Sequence, residues 1–189
     1  MKPLFTIHAG EYLVASYIEE TIKGVNVWIP TRDTGVDLLV SDSSARKTVS
    51  LQVKFSKDFL YMMQAKYQGK DSLLSACGWW KIDREKLKKS KADFWVMMLF
   101  GLNGSTKDFL IIPPKDLLER MELLDGSAKT FQTYLWVTRK HGGTGAKCWT
   151  TRDLSPEQKS QVARGEYNDK SHDMSEWLNN WTPITEMQS

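Results

Sequence analysis

The chain has 189 residues and a mass of 21.7 kDa, with 41% hydrophobic residues, enough for one folded core. No Pro/Gly/Ser-rich stretch, internal repeat or segment of simple composition divides it, which predicts one domain over residues 1–189. The N-terminal segment lacks the apolar core of a secretory leader, and no run approaches the roughly 18 apolar residues of a membrane span, so a cytoplasmic protein with no membrane partner is expected.

Cys77 and Cys148 lie far apart and have no close Cys/His neighbours of zinc-site spacing, so both are expected as reduced thiols. The formal net charge is only +3, but it is unevenly spread. Lys81, Arg84, Lys86, Lys88, Lys89 and Lys91 face only Asp83 and Glu85 in that stretch. Arg139, Lys140, Lys147 and Arg152 form a second basic run with no acid among them, and from Glu166 onward acids dominate. Such a chain can bind a polyanion on one face, although a solvated helix face explains the first run equally well.

In chain order, residues 9–23 place Val14, Ala15, Ile18 and Ile22 at the spacing of one helical face, with Gly24 ending the helix. Glu11 falls on that same stripe and is expected to point toward the core. Three β-rich runs follow, at residues 25–29, 36–40 and 48–55, separated by turn residues at 30–35 and 41–47. The third alternates, with Val49, Leu51, Val53 and Phe55 on one side and Ser50, Gln52, Lys54 and Ser56 on the other. Residues 56–78 give no firm assignment. Beyond them the pattern predicts a strand at 79–82, a short capped helix at 83–90, strands at 94–102 and 107–112, and a helix at 116–124 led in by Pro113 and Pro114. A hairpin of 134–139 with 147–151 and helices near 156–164 and 174–181 complete the chain.

Four polar residues in the first third stand where structure alone would favour apolar or indifferent ones. Glu11 lies on a buried helical stripe, Asp37 inside an apolar strand, and Gln52 and Lys54 on one face of the next strand. Oxygen donors beside an ammonium group suit a hard divalent cation next to a phosphate. Phosphodiester hydrolysis needs charge neutralised on phosphoryl oxygens and a water held for in-line attack. Lys54 would orient that water and offset the developing charge, staying protonated among anionic neighbours.

The order and spacing of Glu11 in GEYLVASYI, Asp37 in TGVDLLV, and Gln52 and Lys54 in LQVKFS resemble the PD-(D/E)XK nuclease superfamily, and are similar to archaeal Holliday junction resolvases. In that family an acid-bearing helix precedes a β-meander carrying an Asp and then an acid-x-Lys tripeptide. The resemblance covers about residues 9–57. It implies an α/β fold with a restriction-endonuclease-like core, a mixed β-sheet flanked by helices. It further implies a Mg²⁺- or Mn²⁺-dependent DNA endonuclease, with Asp37 and Gln52 binding metal, Glu11 joining them directly or through water, and Lys54 serving the attacking water. Many small members act as homodimers, since two strands must be cut. Gln52 stands where most members carry Glu or Asp; the lost charge weakens divalent binding, and such a Gln is a variant within the superfamily. The competing expectation is a catalytically inactive nuclease-fold module that binds nucleic acid within a defence or recombination assembly. A purely structural interaction protein is the third.

For phosphate contacts the expected residues are Arg32, Lys47 and Lys57, flanking the motif strands, with Arg139, Lys140 and Lys147 around the Gly-rich turn. That turn, Gly142–Lys147, superficially resembles a phosphate loop but lacks its spacing and is expected as a hairpin turn. His8, His141 and His172 are expected on the surface, and most of the eight tryptophans in the core.

Overall fold

The computed structural model describes residues 4–31, 34–67, 72–101, 106–140 and 145–188. Helix α1 (Leu4–Thr21) is followed by strands β1 (Val25–Trp28), β2 (Leu38–Asp42) and β3 (Thr48–Phe55). Its buried stripe is the one the periodicity specifies, Val14, Ala15, Ile18 and Ile22, and Glu11 is buried with it. Gly24 takes a left-handed φ of 71° after the helix, a conformation open to glycine without a Cβ clash. The helix begins five residues earlier than the spacing indicated, at Leu4.

Strands β1, β2 and β3 form an antiparallel meander. The chain then leaves through α2 (Leu60–Tyr67), β4 (Leu74–Asp83) and α3 (Arg84–Lys88), and returns as β5 (Phe94–Gly101), parallel to β3. Strand β6 (Thr106–Ile112) pairs antiparallel with β5, giving a mixed five-stranded sheet in the order β1-β2-β3-β5-β6. Parallel pairing requires a crossover, and the α2–β4–α3 segment supplies it. Asp93 fastens the start of this pair, its Oδ2 accepting from the Ser50 amide at 2.8 Å and the Ser50 hydroxyl at 2.6 Å. The fold is thus α/β with a mixed sheet flanked by helices.

One feature was not foreseen. Strand β4 pairs with β7 (Thr130–Arg139), and β7 with β8 (Ala146–Thr150), in a second, antiparallel sheet. Alternation gives each sheet two apolar faces and so a layered molecule. On the outer face of the large sheet, α1 and the short C-terminal α6 (Thr182–Thr185) pack on Leu38, Val40, Leu51, Val53, Val96 and Phe109. Between the sheets lie Trp80, Ile82, Trp95, Met97, Leu110, Phe131 and Val137, closed at the side by Leu87 of α3 and by Leu117 and Met121 of α4 (Pro114–Asp125). Behind the small sheet, Cys77, Trp136 and Trp149 meet Leu60 of α2 and Val162 of α5 (Pro156–Arg164). Both cysteines are buried, and burial pushes both thiols well above the ordinary thiol range, so they remain protonated.

Two expectations at the C-terminal end require correction. The helix expected at 174–181 is only a 3₁₀ turn at Ser175–Trp177. Leu178 then bridges to Leu110, and Asn179 adopts φ 53° while its amide donates to the Phe109 carbonyl at 2.6 Å, so contacts with β6 override the local helical pattern. His172, expected on the surface, is buried, with Nε2 3.2 Å from Asp153 and Nδ1 2.9 Å from the Ser171 hydroxyl. Side-chain details of His8 and the whole of His141 and residues 142–144 lie outside the described residues.

The seat of α1 on β3 depends on Gly10. A Cβ at this position would stand 2.7 Å from the Phe55 Cβ, an atom that cannot swing aside. Replacing Gly by a larger residue gains at most about 1 kcal/mol of helix propensity, whereas overpacking costs about 1–3 kcal/mol. Gly10→Val is therefore expected to be destabilising in thermal denaturation, lowering Tm by about 2–4 °C per kcal/mol. A variant as stable as the parent would show that the helix is not held at this distance.

Candidate functional site

Asp37 lies one residue before β2 begins, not within the strand as the sequence suggested. Its amide donates to the Leu51 carbonyl at 2.8 Å, so the backbone still follows the ladder there. Its carboxylate Oδ2 accepts from the amide of Val53 at 2.7 Å. Val53 separates Gln52 from Lys54, so this bond sets the acid beside both predicted partners. The reason is topological. Strand β3 extends past the start of β2, and Asp37 supplies the acceptor that the missing strand residue would have provided.

Gln52 and Lys54 project from the face of β3 opposite α1. They stand in register with Trp95 and Met97 of the parallel strand. Together with Thr34, Gly35, Trp80 and Trp95, and with Lys81, Asp83, Glu85, Lys86, Lys89 and Lys91 from the following strand and helix, they line a cleft of about 690 Å³. The Lys54 ammonium sits 5.2 Å from the centroid of the Trp95 ring, and the Lys54 carbonyl accepts from the Trp80 indole at 3.2 Å. Both tryptophans are buried, so they form the floor and hold the strand carrying Lys54 in place.

Glu11 occupies the other side of the sheet, on α1, 9% exposed. Its neighbour Gly10 rests on Phe55, the residue after Lys54, so the helix carries the acid to the same end of β3. Three of the four predicted residues meet on β3, with Gln52 and Lys54 in the cleft and Asp37 against the strand between them, while Glu11 stands on the helix side of the sheet. Their donors are the hard oxygens that Mg²⁺ or Mn²⁺ takes, two carboxylates and one amide, a set that fits such an ion in type with one charge fewer than an all-acid set. Among the described residues no group of three or more His, Cys, Asp or Glu side chains is placed to hold a metal.

Of the basic residues expected to touch phosphate, none of the described ones lines this cleft. Lys47 is exposed in the β2–β3 turn, where its amide donates to Asp42 Oδ1 at 3.1 Å, and Lys57 is exposed just beyond β3. Lys140 and Lys147 border a separate cleft of about 400 Å³ on the small sheet, with Lys147 5.3 Å from the Trp149 ring centroid. Arg139 points inward: its guanidinium holds the fully buried Asp108 with both Nη atoms and donates to the Ser75 hydroxyl at 2.8 Å. That hydrogen bond to Asp108 raises the Arg139 pKa further, fixing it as a structural cation. Arg32 lies outside the described residues.

The sequence marked the run Lys81–Lys91 as a basic patch that could face a polyanion or solvent, but did not place it beside Lys54. Lys81, Lys86, Lys89 and Lys91 line the same cleft as Lys54, against Asp83 and Glu85. The signal was present as charge density, but nothing local to that run says that its strand and helix lie alongside β3.

These features define an α/β protein with a mixed sheet and a lysine-rich cleft at one strand end. The chain matches no family model, no curated protein and no solved structure. No helix of the described residues is long and apolar enough to cross a membrane.

Proposed function

We propose that the protein is a metal-dependent endonuclease that hydrolyses phosphodiester bonds in DNA, of the PD-(D/E)XK type that its motif resembles. The observation that carries this reading is the Asp37 carboxylate bonded to the amide between Gln52 and Lys54, beside a cleft rich in lysine. The chain order of an acid-bearing helix, a meander with Asp37 and a strand with Gln-x-Lys supports it. Asp37 and Gln52, with Glu11, are the residues that would hold Mg²⁺ or Mn²⁺, which would supply charge neutralisation at a phosphoryl oxygen and a bound water of lowered pKa. Lys54 orients the attacking water, and its charge offsets the negative charge that develops in the transition state. Asp37 keeps the strand carrying Lys54 in register through the Val53 amide. A cytoplasmic location and a homodimer, one subunit for each strand of a duplex, belong to the same reading.

The test is incubation with supercoiled plasmid, branched DNA and single-stranded DNA in Mg²⁺ or Mn²⁺, beside Lys54→Ala. Metal-dependent cleavage that disappears in the variant is expected; intact substrates throughout, or equal cleavage by Lys54→Ala, would end the enzyme reading. Restoring the missing charge makes a second, independent measurement. Gln52→Glu is expected to bind Mn²⁺ about tenfold more tightly by calorimetry, since a third carboxylate then faces the ion. No gain would remove Gln52 from the metal set.

The neutral amide of Gln52 favours one other reading, a nuclease-fold module that binds nucleic acid without cutting it. It predicts salt-sensitive binding, no cleavage and no measurable Mn²⁺ affinity.

A further inference from the structure

The cleft also bears on what kind of nucleic acid is bound. Five ammonium groups line it, those of Lys54, Lys81, Lys86, Lys89 and Lys91, against the two carboxylates of Asp83 and Glu85. One of those acids is already engaged within the fold: Asp83 Oδ1 accepts from the Lys86 amide at 2.9 Å and caps α3. Glu85 pairs with Lys89 at 3.2 Å, but both side chains are more than half exposed, where such a pair is worth little and yields readily to a stronger anion. The face is therefore net positive and accessible.

The aromatic residues of the cleft discriminate further. Sites for single strands combine a cationic groove with exposed rings on which unpaired bases stack. Here both lining rings, Trp80 and Trp95, are buried, and the Lys54 ammonium lies over the Trp95 ring. The more exposed Trp79 points to the other face of its strand, beside Tyr134. Among the described residues, the cleft lining offers charge for phosphates and no exposed ring as a platform for a base.

We propose that Lys81, Lys86, Lys89 and Lys91 form a phosphate-binding track that delivers double-stranded DNA, recognised by its backbone, to Lys54. The role of the track in catalysis rests on the nuclease reading; its binding function does not. Helix α3 carries its own control. Lys88, two residues from Lys86, borders a different cleft with Leu87, Pro113 and Leu118, so it has the same charge on the same helix but a different outlook.

The experiment measures binding of a 20-base-pair DNA duplex and of one of its single strands by fluorescence anisotropy, in EDTA, over a range of salt concentrations. The proteins are the parent chain, Lys86→Ala/Lys89→Ala/Lys91→Ala, Lys88→Ala, and Lys140→Ala/Lys147→Ala. All these lysines are exposed, so circular dichroism is expected to show unchanged folding. The duplex is expected to bind more tightly than the strand. The triple variant is expected to weaken duplex binding about tenfold or more and to flatten the log–log salt slope by about 0.9 for each lysine removed, while Lys88→Ala matches the parent. Equal or tighter binding of the single strand, a triple variant that binds like the parent, or an equal loss in Lys88→Ala would each overturn the proposal, and so would binding that depends on Lys140 and Lys147 instead. Because EDTA removes the metal, a track that binds while no cleavage occurs in Mg²⁺ fails the nuclease reading alone.

Discussion

Asp37→Asn is expected to abolish metal-dependent cleavage while leaving the fold nearly as stable as that of the parent chain. The asparagine carboxamide is close to isosteric and still presents an oxygen to the Val53 amide, so the 2.7 Å bond can be kept. What it removes is the negative charge, which on the proposed reading is the strongest metal ligand of the set. Loss of one preorganised electrostatic contact in such a site costs about 10²–10³ in turnover. Asp37→Ala provides the contrast: it removes the acceptor as well, strands a part-buried amide, and is expected to destabilise by about 1–3 kcal/mol in urea denaturation. A plasmid-nicking assay beside a denaturation curve separates the two effects. Were Asp37→Asn to cut like the parent, the carboxylate would be a strand-end clamp only, and the enzyme reading would lose its central residue.

The largest effect on stability is expected at Asp108. This carboxylate is completely buried between the sheets and is held by three groups: both Nη atoms of Arg139 on β7 and the Asn179 amide at 2.9 Å. Asn179 in turn accepts from the Phe109 amide at 2.8 Å, so one cluster joins the large sheet, the small sheet and the C-terminal segment. Breaking a buried pair from one side leaves the partner charge without compensation, at a cost of about 3–5 kcal/mol. Arg139 is about one-third exposed and can recover some hydration, which places Asp108→Ala near the lower end, about 3 kcal/mol. For a domain of this size that is a fall in Tm of roughly 6–12 °C. Arg139→Leu is expected to cost at least as much, because the charge left behind is then the fully buried one. The double variant Asp108→Leu/Arg139→Leu should recover much of the loss, since an apolar pair of similar volume demands no desolvated charge. Additive losses in this cycle would show that the two side chains are not coupled. The same variants decide the role of Arg139: a structural cation changes Tm and leaves the salt slope of DNA binding unchanged.

Much of the local structure was legible because it depends on near neighbours in the chain. The stripe of α1, the alternation of β3, the antiparallel pairing of 94–101 with 106–112 and the helix at Pro156–Arg164 all follow from side-chain periodicity and turn chemistry. Residues 56–78 gave no such signal, and within them the structure places α2 and the first half of β4. Strand β4 there runs through Ala76, Cys77 and Gly78, small residues whose place is set by what packs on them: a Cβ on Gly78 would stand 2.4 Å from the Trp80 ring.

By itself the sequence determined the hydrophobic pattern, the kinds of donor at Glu11, Asp37, Gln52 and Lys54, and their order along one helix and the meander that follows it. Tertiary structure decided the rest. Parallel pairing of β3 with β5 carries β4 and α3 across the large sheet, turning a run of lysines that reads as a solvated face into the wall of the Lys54 cleft. The pairing of the sheets draws Arg139 inward to Asp108, although its charge alone suggested an outward role. Both outcomes rest on contacts between residues distant in sequence, where burial and the need to pair a desolvated charge outweigh any local preference.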